Sequence, residues 1–228
     1  MPTLVTAALI AAPLIAGGTS WVGVKYTVAP GWHIYWENPG ETGIPTTVDL
    51  TLPEGFTVGP VQYPGPETFM MPGDLTNYGY EGEVVLLAEL TAPAALPGDG
   101  QIAAETHWLV CRPEQCIPGN TALTLSLDAM PADETAAFAD HLPGPLPSTA
   151  TRLTQGLTTT ITFFGPQAGE VYPDTALEGV LAAKSVTPGP GGLAVTLTLN
   201  EPAPAGAAVV IRVEQPAGEA HYRVLLGE

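Results

Sequence analysis

Trp21-Val-Gly-Val-Lys-Tyr-Thr-Val28 alternates along its length, and Ala29-Pro30-Gly31 closes it with a turn. A period of two is the mark of a strand with one buried face. Working outward, the pattern recurs. Trp32-His-Ile-Tyr-Trp36 starts a second extended piece, which Asn38-Pro39-Gly40 ends. Residues 46–52 alternate again, with Val48, Leu50 and Leu52 on one face. Residues 58–63 form a short, Pro-bounded piece. Residues 64–76 have no periodicity and read as a loop, and residues 78–90 enter a long strand. Residues 102–111 and 121–127 read as two more strands. Such regular spacing, with turn signals between, predicts an all-β chain built as a β-sandwich. Near the start, Leu4, Leu9, Ile10 and Leu14 read as an edge strand and its connection. A leader would carry a Lys or Arg before the apolar run, and none is there. The segment is also too short to span a membrane and is broken by Pro13. Met1 therefore reads as a start placed after a removed leader.

The later part follows the same logic. Residues 132–141 predict one helix, with Pro131 near its start, Asp133 and Glu134 favouring its N-terminal dipole, and Pro143 stopping it. Pro143, Pro145 and Pro147 read as a stiff linker. Residues 157–164, 177–186, 193–199, 208–213 and 221–226 then read as five strands, and Pro188-Gly-Pro-Gly-Gly192 as a hairpin-like turn. The expected organisation is a cysteine-bearing domain over 1–130, a helix and linker over 131–148, and a second, smaller β-sandwich over 149–228.

Of the 228 residues, 6 are Lys or Arg and 23 are Asp or Glu, a formal net charge of −17. Such a chain has no basic surface for a phosphate backbone, which excludes nucleic acid as a partner. A hydrophobic fraction of 45% argues for a packed core and against whole-chain disorder. The charge is uneven. The first 150 residues hold 16 acids against only Lys25 and Arg112, and the remainder holds 7 acids against 4 bases. That asymmetry fits two separate units. It serves solubility, or it selects a basic partner.

Cys111 and Cys116 are the only cysteines, in Cys111-Arg-Pro-Glu-Gln-Cys116-Ile-Pro-Gly119. Three readings compete. Structural zinc needs four ligands, and only His107 is close in sequence. A purely structural disulfide would close a very short loop, worth about 2 kcal/mol in the chain-entropy model. A redox-active pair is the third, since short, exposed disulfides are the labile ones. Local placement favours it. A strand over 102–111 puts His107, Leu109 and Cys111 on one face, with Trp108 and Val110 on the other. Cys111 then ends a strand and Cys116 begins the return, at a hairpin tip that Pro113 and Pro118 stiffen. Arg112 is a candidate to stabilise a thiolate there, or else a solvated loop charge. His107 is a candidate proton shuttle, or else an ordinary surface or core histidine.

At these residues the chain resembles a known family. Pro30-Gly-Trp-His-Ile-Tyr-Trp-Glu-Asn-Pro-Gly40, Leu52-Pro-Glu-Gly-Phe56, Tyr78-Gly-Tyr-Glu-Gly-Glu-Val84 and Trp108-Leu-Val-Cys111 with Cys116-Ile-Pro-Gly119 resemble the N-terminal periplasmic domain of DsbD-like and ScsB-like thiol:disulfide interchange proteins. The likeness covers roughly residues 20–128. The C-x4-C spacing departs from those associated with either branch. The resemblance implies a periplasmic, immunoglobulin-like domain without a cofactor or metal. Its cysteine pair is reduced by a membrane-embedded domain, of the same or another chain, or by a thioredoxin-like one. It then reduces thioredoxin-fold clients, with Cys116 meeting the client and Cys111 resolving. An apolar cap over the cysteines matches residues 67–77, with Phe69, Met70 and Met71, and the family's aromatic run matches Tyr35. The bland alternative is that these four only fill core or loop gaps.

Two rivals stand beside the relay. One is a copper-handling module using His33, His107, Met70, Met71 and the two thiols, all soft or borderline ligands. The other is a scaffold with an inert disulfide.

Overall fold

Val84-Val-Leu-Leu-Ala88 is apolar at five successive positions, and all five are buried. A strand that reads this way is covered on both faces. In the computed structural model, which describes residues 3–129, 133–166, 168–189, 191–216 and 218–227, it lies inside the first of two compact units, residues 1–142 and 143–228.

The first unit is an immunoglobulin-like arrangement of ten strands: β1 (Val5–Ala11), β2 (Thr19–Val28), β3 (Ile34–Gly40), β4 (Thr47–Thr51), β5 (Thr57–Val58), β6 (Glu67–Met71), β7 (Leu75–Tyr80), β8 (Glu83–Thr91), β9 (Gln101–Arg112) and β10 (Gln115–Ser126). They form sheets ordered β1-β2-β8-β5, β10-β9-β4 and β3-β7-β6. Alternation in β2 sends Val22, Val24, Tyr26 and Val28 inward. The Tyr26 hydroxyl is hydrogen-bonded to Thr106 of β9, and its ring meets Trp108 edge-on at 6.1 Å. Those contacts join the first sheet to the second. On the other face of β8, Val85 and Leu87 cluster with Ile10 beneath Phe138 and Leu142.

Phe138 belongs to the short helix α1 (Ala136–Ala139). The sequence predicts a helix over 132–141, whose first residue, with Pro131, lies outside the described residues. Asp133 Oδ1 accepts both the Thr135 amide, at 2.8 Å, and the Thr135 hydroxyl, at 2.7 Å. A carboxylate that binds the backbone two residues on makes a turn, which competes with helix. These same bonds hold Asp133 below the usual carboxylate range.

Two other expectations change. The supposed loop over 64–76 contains β6 and the first two residues of β7, a hairpin whose turn is Pro72-Gly73-Asp74 with Gly73 and Asp74 both at positive φ. Glu67-Thr-Phe-Met-Met71 has no alternation to betray a strand. The single strand over 78–90 is two strands. The chain changes sheet at Glu81-Gly82, where Gly82 has φ +64°. Asn38-Pro39-Gly40 ends β3 as expected, after a break in register between Tyr35 and Gly40.

The second unit has two four-stranded sheets built from β11 (Gly144–Pro145), β12 (Thr151–Gln155), β13 (Thr158–Phe164), β14 (Gly169–Pro173), β15 (Leu181–Gly189), β16 (Gly192–Leu199), β17 (Ala208–Gln215) and β18 (Gly218–Leu225). Their orders are β11-β18-β17-β14 and β12-β13-β16-β15. Ile161, Phe163, Val195, Leu197, Val209 and Ile211 fill the core between them. The linker expected at Pro143–Pro147 instead supplies β11, which pairs parallel with Tyr222 and Arg223. The division between the units therefore falls at 142/143 and not near 148.

Gly79 makes the closest backbone approach near the site. A Cβ there would sit 2.1 Å from the Ile34 carbonyl oxygen across the β3–β7 pairing. Gly79→Ala is expected to cost about 3 kcal/mol through overpacking, measured by chemical denaturation of the oxidised protein.

Candidate redox site

C-x4-C is the spacing that a two-residue hairpin turn requires to set two cysteines face to face. β9 and β10 pair without a slip from Gln101↔Ser126 to Arg112↔Gln115, leaving only Pro113-Glu114 in the turn. Cys111 and Cys116 are therefore directly opposite, 4.2 Å apart at Cα, and are joined as a disulfide. That separation suits a pair that exchanges no backbone hydrogen bonds with itself, about 4.5 Å. The Cys111 backbone bonds the other way. Its N–H donates to the His33 carbonyl at 2.9 Å, and the His33 N–H donates to the Cys111 carbonyl at 2.9 Å.

The two sulfurs occupy unlike positions. β9 is the middle strand of its sheet, and Cys111 is fully buried. β10 is the edge, and Cys116 is exposed. Residues paired across antiparallel strands share a face. His33, which bridges to Cys111 from just before β3, thus forms one row with Cys111 and Cys116.

His33 is the residue that reading the sequence for site residues passed over, except as a copper ligand. It is 4% exposed. Phe69 stacks flat on its imidazole, with ring centroids 4.4 Å apart, and Tyr35 meets it edge-on at 5.2 Å. Its Nε2 is buried without a hydrogen-bond partner. Burial pushes its pKa below the ordinary histidine value, so the ring is neutral at pH 7. Nothing local in the sequence links His33 to Cys111, because the contact depends on long-range register.

The expected cap residues divide. Phe69 and Met71 are half-buried on one face of β6, while Met70, on the opposite face, is 60% exposed and takes a weak bond from the Thr76 hydroxyl at 3.8 Å. Met70 therefore does not join Phe69 over His33. Tyr35 is buried, and burial raises its pKa. Its hydroxyl accepts from Asn77 Nδ2 at 3.4 Å, and Asn77 in turn accepts the Thr42 amide at 3.0 Å.

His107 is exposed and pairs in register with Thr47 and Asn120. It lies four residues from Cys111, about 13 Å along a strand, and cannot reach the sulfurs. Arg112 is held elsewhere. Its guanidinium lies 4.9 Å over the Trp32 ring and 3.7 Å from the Glu114 carboxylate. The six-residue copper set is likewise not assembled, since only His33 shares the cysteines' row. Among the described residues, no group of three or more His, Cys, Asp or Glu could hold a metal ion.

Behind the hairpin, Leu4, Trp32, Trp108, Val110, Gln115, Ile117 and Pro118 line an apolar groove of about 390 Å³. Val110 and Ile117 pair on the face opposite the disulfide. Gly119 makes room for the Trp108 indole, since a Cβ would fall 2.4 Å from its Nε1.

Residues 3–128 match the family described as thiol:disulfide interchange protein DsbD, N-terminal. The chain belongs to this family. Among solved structures, it is similar to the N-terminal periplasmic domain of ScsB from Proteus mirabilis, with a TM-score of 0.66 and 20% identity over 98% of this chain and 93% of that one. At that identity the likeness shows the fold. The CupB2 chaperone of Pseudomonas aeruginosa also matches, at 14% identity over 91% of this chain and 93% of that one, with a TM-score of only 0.23. Among curated proteins nothing matches. Among the described residues of this DsbD N-terminal family member, no helix is long and apolar enough to cross a membrane.

The unequal burial of the two sulfurs has a direct readout. In the reduced protein, Cys116 is expected to alkylate at least about tenfold faster than Cys111, because access controls thiol reactivity alongside pKa. Brief iodoacetamide labelling followed by peptide mass spectrometry measures the ratio, and equal rates would contradict the burial.

Proposed function

We propose that this chain is a periplasmic thiol–disulfide relay. Its Cys111–Cys116 disulfide accepts a pair of electrons from a membrane-embedded or thioredoxin-like reductant and passes them to thioredoxin-fold clients. The observation that carries this is the single row with one sulfur at a sheet edge and the other in the sheet's interior. A thiolate needs in-line access to one sulfur of a disulfide. Here only Cys116 Sγ offers it, and Cys111 is the leaving group. In the return direction the Cys116 thiolate attacks the client disulfide, and Cys111 resolves the mixed disulfide from within. Phe69, Met71 and Tyr35 shield the buried end of the row from adventitious oxidants, the role assigned to the apolar cap.

The test is trapping. Cys111→Ser leaves Cys116 free to attack with nothing to resolve the product, so a mixed disulfide with a thioredoxin-fold protein is expected to accumulate. Cys116→Ser should give little, because its remaining thiol is buried. Non-reducing electrophoresis and mass spectrometry decide between them. If neither variant crosslinks, and the wild-type disulfide resists thioredoxin-like reductants, the chain is a scaffold with an inert bond.

A second reading retains part of the copper idea. When the disulfide is open, the hairpin offers two thiolates, soft ligands suited to Cu(I). Anaerobic titration of the reduced protein against a Cu(I) chelator tests it, and failure to compete removes it.

A further inference from the structure

Reduction of this disulfide creates a charge where there is no water. When a partner thiolate bonds to Cys116 Sγ, the Cys111–Cys116 bond breaks and its electron pair leaves on Cys111 Sγ. The partner's second thiolate then attacks its own first sulfur, closes the partner's disulfide and releases Cys116. Both electrons come from the partner's dithiol, which leaves oxidised, and the protons it lost on forming its thiolates pass to solvent. Cys116 can take its proton from solvent. Cys111 is fully buried and cannot. A bare thiolate in an apolar site is costly, so the leaving sulfur needs a donor beside it.

The row supplies one. His33 and Cys111 exchange both backbone hydrogen bonds, which sets their Cα atoms about 5.5 Å apart with side chains on the same face. The imidazole is clamped by Phe69 and Tyr35 and its Nε2 has no partner. A buried polar atom without a partner is destabilising, and in the oxidised protein no hydrogen bond joins it to the disulfide, whose sulfurs are poor acceptors. A thiolate at the same place is a good one. The nitrogen left unsatisfied in the oxidised state is thus a donor available to a thiolate on that face.

We propose that His33 is a positioning residue for the relay, donating its Nε2–H to the Cys111 sulfur when the disulfide opens and so stabilising the reduced, thiolate form of the pair. This rests on the interchange reading above and adds to it the device that sets redox poise. No other charged group competes within the row. Tyr35 on the adjoining strand is buried and its pKa raised, so it stays neutral. Arg112 and Glu114, at the hairpin turn, pair with each other beside Trp32 on the other face. On β6, Glu67 is exposed at the solvent end of the Phe69 face. His107 lies too far along β9.

His33→Phe keeps the ring that stacks on Phe69 and removes the donor. His33→Gln keeps an N–H and removes the ring. In a Cys116→Ser background, the Cys111 thiolate is titrated by its ultraviolet absorbance. The midpoint is expected to rise by about one pH unit with His33→Phe, a tenfold loss of thiolate near neutrality, and to return towards its original value with His33→Gln. In the protein with both cysteines, equilibration with glutathione should shift about tenfold towards the disulfide in His33→Phe. An unchanged midpoint and an unchanged equilibrium overturn the proposal. A merely structural role would lower melting temperature without moving either. Should His33→Phe fail to fold, the wild-type protein still decides. The His33 ring proton resonances must titrate differently in the oxidised and reduced forms, and identical titrations overturn the proposal. Failure of the interchange reading looks different: the wild-type bond would not open to glutathione or to a thioredoxin-fold dithiol, while the Cys116→Ser titration would still report on His33.

Discussion

The backbone pair between His33 and Cys111 is the constraint on which the site depends. It uses the hydrogen-bonding groups of Cys111 on the side away from Cys116. The disulfide therefore bridges positions that share no backbone bonds, and opening it costs the sheet none of its ladder. The hairpin can alternate between one covalent cross-link and two thiols while β9 stays anchored to His33 and to β4. The same pair fixes the order of the row, with the exposed cysteine at the edge and the buried one inside.

The packing around the row follows from small residues at close approaches. Gly79 lets the β3–β7 backbones come together, and Gly43 leaves space against Tyr35, whose ring carbon would lie 2.3 Å from an added Cβ. Tyr35, Asn77 and Thr42 then hold the chain after β3 in place through side-chain bonds. The aromatic clamp on His33 is thus supported from three separate segments. A ring held this way has little freedom to seek another hydrogen-bond partner.

Much of this was legible before any coordinates. The alternation in 21–28, 46–52 and 102–111 located β2, β4 and β9, and the cysteine spacing predicted a pair at a hairpin end. The contrast in charge pointed to two units. Other features were hidden for physical reasons. β6 reads Glu-Thr-Phe-Met-Met, apolar on both faces at one end and polar at the other, so period carries no signal. β12 is exposed at all five positions and has no apolar face to detect. β11 is only two residues long. In the site, Cys111, Cys116 and Phe69 were nameable from spacing and resemblance. His33 was not, because its importance comes from a bridge across 78 residues of chain. His107 attracted attention through sequence proximity, which along an extended strand translates into distance rather than contact.

The two cations of the first unit are both engaged at short range. Lys25 lies 3.5 Å from Glu83 and 3.4 Å from Glu134, with Phe138 beneath it. Arg112 is divided between Glu114 and Trp32. Neither offsets the field of the remaining carboxylates. Molecules of like sign are therefore repelled on approach at low ionic strength, and added salt weakens that barrier by shortening the Debye length. Any protein approaching this surface is thus sorted by charge at a range of many ångströms, before it makes contact.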